Sequence, residues 1–208
     1  MICPRVRSTC RRGPCDAELT SVTQPARRPV LYAIVCAAGP ARHVHRLIRL
    51  AQERGWDIWI IPTPSAVDFL DVLAVEELSG HPARSRHRQF GEPGTFPRAD
   101  AIVVAPATYN TINKWAHGTS DNYALGLLAE LVPLGVPTAV LPFLNAALAA
   151  NPVLARSIAE LQLMGVRVLV GRGQFEPHQP GTGAEKIDSY PWHLVLDAVG
   201  DPRRRLIG

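Results

Sequence analysis

Short apolar runs alternate along this chain with longer segments whose apolar residues recur at helical spacing. Each run is nearly continuous, which is typical of a strand that is covered on both faces in a parallel sheet. The pattern predicts strands at residues 30–36, 57–61, 101–105, 138–141 and 167–170. Pro106 is expected to end the third strand, because proline has no N–H group to donate to a central ladder.

Helices are predicted between these strands. They lie at residues 41–54, in the segment that follows Ser65, and at residues 111–116, 121–132, 151–164 and 191–199. Ser65 is expected to cap the second helix, and Asn151, followed by proline, is expected to cap the fifth. Residues 79–98 and 171–191 are rich in glycine and proline and are predicted to be irregular, with a short strand at 85–90 as an alternative.

The alternation of strands and helices predicts an α/β fold. We expect a three-layer, Rossmann-like parallel sheet of the flavodoxin type, with right-handed crossovers and helices on both faces. This domain is expected to span residues 29–200. A basic, disordered arm at residues 1–28 and a basic tail at residues 201–208 are expected to flank it.

Composition and charge narrow the range of possible functions. The chain has 208 residues, of which 47% are hydrophobic and 19% charged, and no apolar stretch is long enough to cross a bilayer. The net charge of +4 comes from arginines in the two termini, so a nucleic-acid partner is not expected for the domain itself. The four cysteines fit no usual zinc pattern, so we expect no metal site and the reduced thiols of a cytoplasmic protein.

Three loops at predicted strand ends should meet at the ligand-binding edge of such a sheet. Around Gly39, small residues allow backbone amides to approach an anion, although neither a GxGxxG nor a Walker motif is present. Thr63 and Ser65 place two hydroxyls beside a helix start, which suits a phosphate group or simple capping equally well. After the third strand, hydroxyl and amide side chains crowd the turn at residues 106–113.

Two ordered motifs lie in these loops. The first reads PATYNT at residues 106–111 and continues through Lys114, Ala116, Gly118, Asp121 and Asn122. The second comprises Pro142, Asn145, Asn151 and Pro152. Over residues 30–170 the chain resembles the homo-oligomeric flavin-containing cysteine decarboxylases, whose motifs read PASANT, K-x-A-x-G-x-x-D-N and P-x-M-N-x-x-M-x-x-N-P.

This resemblance implies an FMN site. Thr63, Ser65 and the backbone around Gly39 would hold the phosphate group. Ala107 and Thr108 would lie against the flavin, and Asp121 is also expected among the cofactor-binding residues. Asn110 and Asn145 would face the substrate, and Asn110 is also expected among the cofactor-binding residues. The resemblance further implies a homotrimer, or a multiple of three subunits, with the flavin between subunits.

The chain departs from the family's catalytic pattern at two positions. Glu92 occupies the position of the family's catalytic histidine, and His87 is the nearest histidine along the chain. The loop at residues 171–191 lacks the family's substrate-binding cysteine. The catalytic candidates are therefore Asn145, which would fix a carboxylate, and Glu92 or His87 as a base.

These departures leave two main hypotheses. The first is a flavin-dependent oxidoreductase or decarboxylase that acts on a small acid. The second is a non-catalytic flavin-binding or regulatory subunit. A third, an NAD-binding or nucleotide-sugar-binding domain, lacks the glycine fingerprint and the acidic residue that would end the second strand. The loop at residues 171–191, which contains His178, is either a lid over the ligand or a simple connection.

Overall fold

A computed structural model describes residues 27–87 and 96–202. In these ranges one parallel sheet has the strand order β2-β1-β3-β4-β5. The strands are β1 (Val30–Val35), β2 (Asp57–Pro62), β3 (Ala101–Ala107), β4 (Thr138–Pro142) and β5 (Arg167–Val168). The predicted α/β fold of the flavodoxin type is confirmed, since this is the flavodoxin strand order.

Helices cover both faces of the sheet. They are α1 (Val44–Glu53), α2 (Val72–Ser79), α3 (Tyr109–Ala116), α4 (Tyr123–Leu131), α5 (Ala146–Ala149), α6 (Pro152–Leu163), α7 (Gly183–Lys186) and α8 (Trp192–Val199), with 3₁₀ helices η1 (Gly39–His43) and η2 (Pro64–Phe69). From β1 the chain first moves to β2 on one side, and later continues from β3 to β4 and β5 in the opposite direction. Because crossovers are right-handed, connections that run in opposite directions lie on opposite faces of the sheet. Helix α1 therefore lies on one face, and α3, α4 and α6 lie on the other. Helix α8 packs beside α1 against β3 and β4.

The core lies between the sheet and these helices. Every residue of β1, β3 and β4 is buried, as the continuous apolar runs predict. Helix α1 buries Val44, Leu47, Ile48 and Ala51, which recur at helical spacing along one face. This packing fixes the strand ends, and with them the loops that contain the candidate site.

The prediction that Pro106 ends the third strand is wrong. Strand β3 continues to Ala107, and the peptide bond between Ala105 and Pro106 is cis. Pro106 takes part in the sheet as an acceptor only, because its carbonyl oxygen receives the backbone N–H of Cys36 at 3.0 Å. The pairing of β3 with β4 is irregular between Val104 and Ala107, so the ladder with β4 does not need an N–H group from Pro106.

Two further element boundaries differ from the prediction. Ser65 does not cap a helix, because it lies inside η2, which has no side-chain cap; Asp71 instead caps α2 by accepting the backbone N–H of Ala74 at 3.1 Å. Strand β5 ends at Val168 because the chain folds back, and Val170 forms an isolated bridge with Phe175. The predicted cap at Asn151 is confirmed by its bond to the N–H of Val153.

Some predictions fall on residues that the structure does not describe. The N-terminal arm up to residue 26, the tail from residue 203 and Glu92 lie outside the described ranges. The alternative strand at 85–90 is absent from its described part, residues 85–87.

Candidate functional site

A cleft of about 390 Å³ opens at the carboxyl ends of β1, β2 and β3. Its lining residues are Ala37, Thr63, Pro64, Ser65, Thr108, Asn110, Thr111, Lys114, Asp121, Asn122 and Leu125. The cleft spans the junction of β1 and β3, where the chain reverses its direction of progress across the sheet. In open α/β sheets ligands bind at this switch point, and the volume lies in the range of about 300–1,000 Å³ that is usual for small-molecule sites.

The wall that follows β2 consists of Thr63, Pro64 and Ser65. Thr63 is buried and its backbone N–H donates to the carbonyl oxygen of Val35 at 2.8 Å, which ties this wall to β1. In the described structure, η2 and η1 begin without a hydrogen bond from the side chain of their N-cap residues, Thr63 and Ala38. Pro40 and Pro64 have no N–H group, and the N–H groups of Ala41 and Ala66 donate to the carbonyl oxygens of Ala38 and Thr63 at 2.9 and 2.8 Å. The backbone donors that the starts of η1 and η2 present at this edge are therefore the N–H groups of Gly39 and Ser65.

The wall that follows β3 is the first turn of α3. Thr108 caps this helix by accepting the N–H of Thr111 at 3.3 Å, and the hydroxyl groups of these two residues lie 3.0 Å apart. Asn110 is exposed in the same turn. Below them, burial raises the pKa of the Cys36 thiol, while hydrogen bonds with Thr111 and Thr108 oppose that shift. Cys36 is therefore a neutral thiol beneath the site.

An ion pair lies where α3 and α4 approach each other. The Lys114 ammonium group donates to Asp121 Oδ2, and Asn122 Nδ2 donates to Asp121 Oδ1 at 3.0 Å. The hydrogen bond from Lys114 is the main reason why the pKa of Asp121 lies below its usual range. Asn122 in turn caps α4 by accepting the N–H of Leu125 at 3.1 Å. The pair is thus a charged link between two helices, on the surface of the cleft.

The structure brings together five of the predicted cofactor-binding residues. Thr63, Ser65, Thr108, Asn110 and Asp121 all line the cleft, although they come from three separate loops. Two other candidates do not line it. A methyl group on Gly39 would lie 2.9 Å from Ile187 Cδ1, so a side chain of the C-terminal region covers that glycine. Ala107 is fully buried at the end of β3.

The two catalytic candidates in the described ranges, Asn145 and His87, have other contacts. Asn145 caps α5 by accepting the N–H of Leu148 at 2.9 Å, and its backbone forms an isolated β-bridge with that of His178. His87 packs edge-on against Tyr123, with 5.3 Å between ring centroids. Neither Asn145 nor His87 belongs to the lining of the cleft within the described ranges, and Glu92 falls outside those ranges.

Thr111, Lys114 and Asn122 also line the cleft, although they are not among the residues predicted to bind the cofactor. Helical spacing is the signal that identifies two of them. Thr111 and Lys114 are three residues apart, and Lys114 follows Asn110 by four, so all three share one face of α3. Asn122 has the signature of an N-cap, a side-chain amide directly before an apolar helix.

A second cluster, formed by Phe143, Phe175, His178 and Tyr190, lies at the carboxyl end of β4. The ring centroids of Phe143 and His178 are 4.8 Å apart, and the Tyr190 hydroxyl donates to the carbonyl oxygen of Leu141 at 2.6 Å. Burial, and then the charge of Lys186, lowers the pKa of His178. The loop at residues 171–191 therefore packs onto the sheet edge through aromatic contacts.

Two other kinds of feature are absent from the described ranges. No group of three or more His, Cys, Asp or Glu side chains there has the geometry to hold a metal ion. None of the helices in the described ranges combines the length and the apolar character that a membrane span requires.

Comparison with known proteins assigns the chain to a family. The family model named Flavoprotein matches residues 19–198. The chain belongs to the Flavoprotein family. A probable phosphopantothenoylcysteine decarboxylase from Streptococcus mutans is 30% identical to this flavoprotein over 129 residues, which are 59% of the present chain and 69% of the relative. The resemblance inferred from the motifs is confirmed.

Other relatives are considerably longer. The coenzyme A biosynthesis bifunctional protein CoaBC of Mycolicibacterium smegmatis is 26% identical to this flavoprotein over 132 residues. The match covers 59% of the present chain and only 30% of that relative. The activity of such a whole protein therefore does not transfer to this chain from the comparison alone.

Solved structures show the same fold. The FMN-dependent cysteine decarboxylase SpaF superposes with a TM-score of 0.59 at 26% identity, covering 69% of this flavoprotein and 84% of SpaF. The cypemycin decarboxylase CypD superposes with a TM-score of 0.62 at 19% identity, covering 88% and 96% of the two chains. The likeness to CypD supports the fold alone.

Proposed function

We propose that this flavoprotein binds FMN in the 390 Å³ cleft and uses it to oxidise or decarboxylate a small acid. The observation that carries the proposal is the convergence of Thr63, Ser65, Thr108, Asn110 and Asp121 at the switch point between β1 and β3. These residues are far apart in sequence, and the resemblance to flavin-containing decarboxylases places all of them at the flavin site. SpaF, which shares the fold, is an FMN-dependent enzyme.

The cleft offers groups that suit both the phosphate group and the aromatic ring system of FMN. The hydroxyl groups of Thr63 and Ser65, with the backbone N–H of Ser65 at the start of η2, are donors for a phosphate group. Ala37, Pro64 and Leu125 provide apolar surface for an aromatic ring. When bound, FMN would supply the redox chemistry of the site. The residues of this chain would fix its position, and Asn110, exposed at the start of α3, would orient the substrate.

The proposal includes a homotrimer, or a multiple of three subunits. Phe69 at the end of η2 and Leu148 in α5 are 41% and 37% exposed, and both follow strands at the edge that holds the cleft. Large apolar side chains at such an edge favour contact with another subunit. A neighbouring subunit would also bring further groups to a cleft that this chain lines with the segments after β1, β2 and β3.

A second candidate function, a non-catalytic flavin-binding or regulatory subunit, has its own support. Asn145 uses its side chain to cap α5, and His87 packs on Tyr123 outside the cleft. In the described part of the chain, the cleft therefore contains no histidine and only one carboxylate, Asp121, which is paired with Lys114. A base for proton transfer would have to come from elsewhere.

Flavin binding can be tested with a matched pair of double variants. We expect FMN fluorescence to be quenched when wild-type protein is added, and the T63A/S65A variant to bind FMN about 10-fold or more weakly through lost hydrogen bonds to the phosphate. T182A/S189A is the control, because it removes the same atoms from the exposed loop at residues 171–191. Absence of FMN binding by the wild-type protein would contradict the proposal.

The two candidate functions differ in one observable. When FMN-loaded protein is mixed anaerobically with cysteinyl acids and peptides, an enzyme should bleach the flavin absorbance and release carbon dioxide. A non-catalytic subunit should retain the oxidised spectrum with every compound. Retention of the spectrum across such a panel, with FMN binding intact, would favour the second candidate.

A further inference from the structure

The ion pair between Lys114 and Asp121 lies in the lining of the cleft, where a link between two helices is not required. Among the lining residues in the described ranges, Lys114 is the only cationic one and Asp121 is the only anionic one. The lining that these residues form therefore has no net formal charge, and pairing occupies its ammonium group. A ligand with a phosphate group carries a charge between −1 and −2, so a cleft built for it gains from a free cation.

The surroundings of the pair allow Lys114 to change partners. The side chains of Lys114 and Asp121 are 35% and 46% exposed, so water can replace either partner. Exposed ion pairs of this kind contribute little to stability. Asp121 also keeps a second partner, because Asn122 Nδ2 donates to its other oxygen at 3.0 Å. Breaking the pair therefore leaves neither group buried nor isolated.

The chemistry of the Lys114 side chain suits such an exchange. It sits on a flexible four-carbon side chain and has three donors, which can turn to a new acceptor without moving the helix. Lys114 lines the same cleft as Thr63 and Ser65, the hydroxyl residues assigned to the phosphate. Asp121 lies in the turn between α3 and α4 and so competes with any anion for the same ammonium group.

We propose that Lys114 exchanges Asp121 for the phosphate group of FMN, and that Asp121 thereby sets how strongly the cleft prefers phosphorylated over unphosphorylated flavin. This inference rests on the proposed FMN site. The competing explanation is that the pair only braces α3 against α4. A brace would affect the binding of every flavin equally, since it acts through the shape of the cleft and not through the charge of the ligand.

The test compares FMN with riboflavin, which has the same ring system without the phosphate group. Dissociation constants for both ligands are measured by fluorescence quenching for wild type, K114Q and D121N, with the melting temperature of each variant as a check on folding. We expect K114Q to weaken FMN binding about 10-fold and to change riboflavin binding less than about 2-fold. We expect D121N to strengthen FMN binding about 3-fold, again without a matching effect on riboflavin.

A second ion pair provides the matched controls. Arg54 and Asp197 are 34% and 54% exposed and pair at 2.6 Å, at the end of α1 and on α8. They line a different groove, at the opposite edge of the sheet. R54Q and D197N change the net charge as K114Q and D121N do. Because salt screens charges that are more than about 8–10 Å apart, both controls should leave the ratio of the two dissociation constants unchanged.

Three results would overturn the inference. If K114Q and D121N change FMN and riboflavin binding by equal factors, the pair is a brace, and the proposed FMN site survives. If R54Q and D197N shift the ratio as strongly as the cleft variants, the effect is one of net charge. If wild-type protein binds neither flavin, both the inference and the proposed function fail.

Discussion

Ser157 offers a substitution that should stabilise the protein. It lies on the buried face of α6 with Leu154 and Leu161 and is fully buried. Its hydroxyl oxygen has no hydrogen-bond partner among the described residues. A buried hydroxyl without a partner has lost its bonds to water and gained none in the folded protein. Replacing Ser157 with alanine removes that deficit and leaves the apolar contacts of the helix in place.

The expected gain follows from three contributions. Removing an unpartnered hydroxyl recovers about 1–3 kcal/mol, and exchanging serine for alanine within a helix adds about 0.5 kcal/mol. Loss of the van der Waals contacts of one oxygen atom subtracts about 0.5–1 kcal/mol. The net increase in the free energy of unfolding is about 0.5–3 kcal/mol. For a domain of this size, the melting temperature should rise by about 2–4 °C per kcal/mol.

Ser79 provides the control for the same substitution. It is also buried and lies at the end of α2, but its hydroxyl donates to the carbonyl oxygen of His81 at 3.1 Å and accepts the N–H of His81 at 3.3 Å. S79A should lower the free energy of unfolding by about 1–2 kcal/mol, because it leaves those groups unpaired. Urea denaturation of both variants checks the signs. A destabilised S157A, or the same sign for both variants, would refute the reasoning.

Three other variants test the contacts that hold the site and its surroundings. Y190F should lower the free energy of unfolding by about 1–2 kcal/mol, because it removes the buried bond to the carbonyl oxygen of Leu141. Burial raises the pKa of Tyr190, so at pH values above about 10 the unfolded chain loses this proton first, and stability should fall more steeply in wild type than in Y190F. D71A should cost about 1 kcal/mol through loss of the cap of α2 and leave FMN affinity unchanged in titrations. T108A should cost a similar amount through the cap of α3, but should also weaken FMN binding; equal FMN affinities for D71A and T108A would contradict the placement of Thr108 in the site.

The sequence was sufficient to predict the strands of the sheet and the polar character of the loops at their carboxyl ends. Strands that are covered on both faces must be apolar throughout, so β1, β3 and β4 are visible as continuous runs. The cap at Asn151 is equally local, because an amide followed by proline satisfies the first turn of a helix without help from the rest of the chain. Hydroxyl and amide groups directly after such strands indicated a ligand site at their carboxyl ends.

Only the tertiary structure decided which of those groups share a cleft. Thr108 lines it and the adjacent Ala107 is buried, because neighbouring residues at a strand end point in different directions. Gly39 is covered by Ile187, a contact between segments that no local pattern connects. The pairing of Lys114 with Asp121 likewise depends on how α3 and α4 meet. Local sequence specifies burial and periodicity, whereas the neighbours of a side chain are set by the packing of the whole domain.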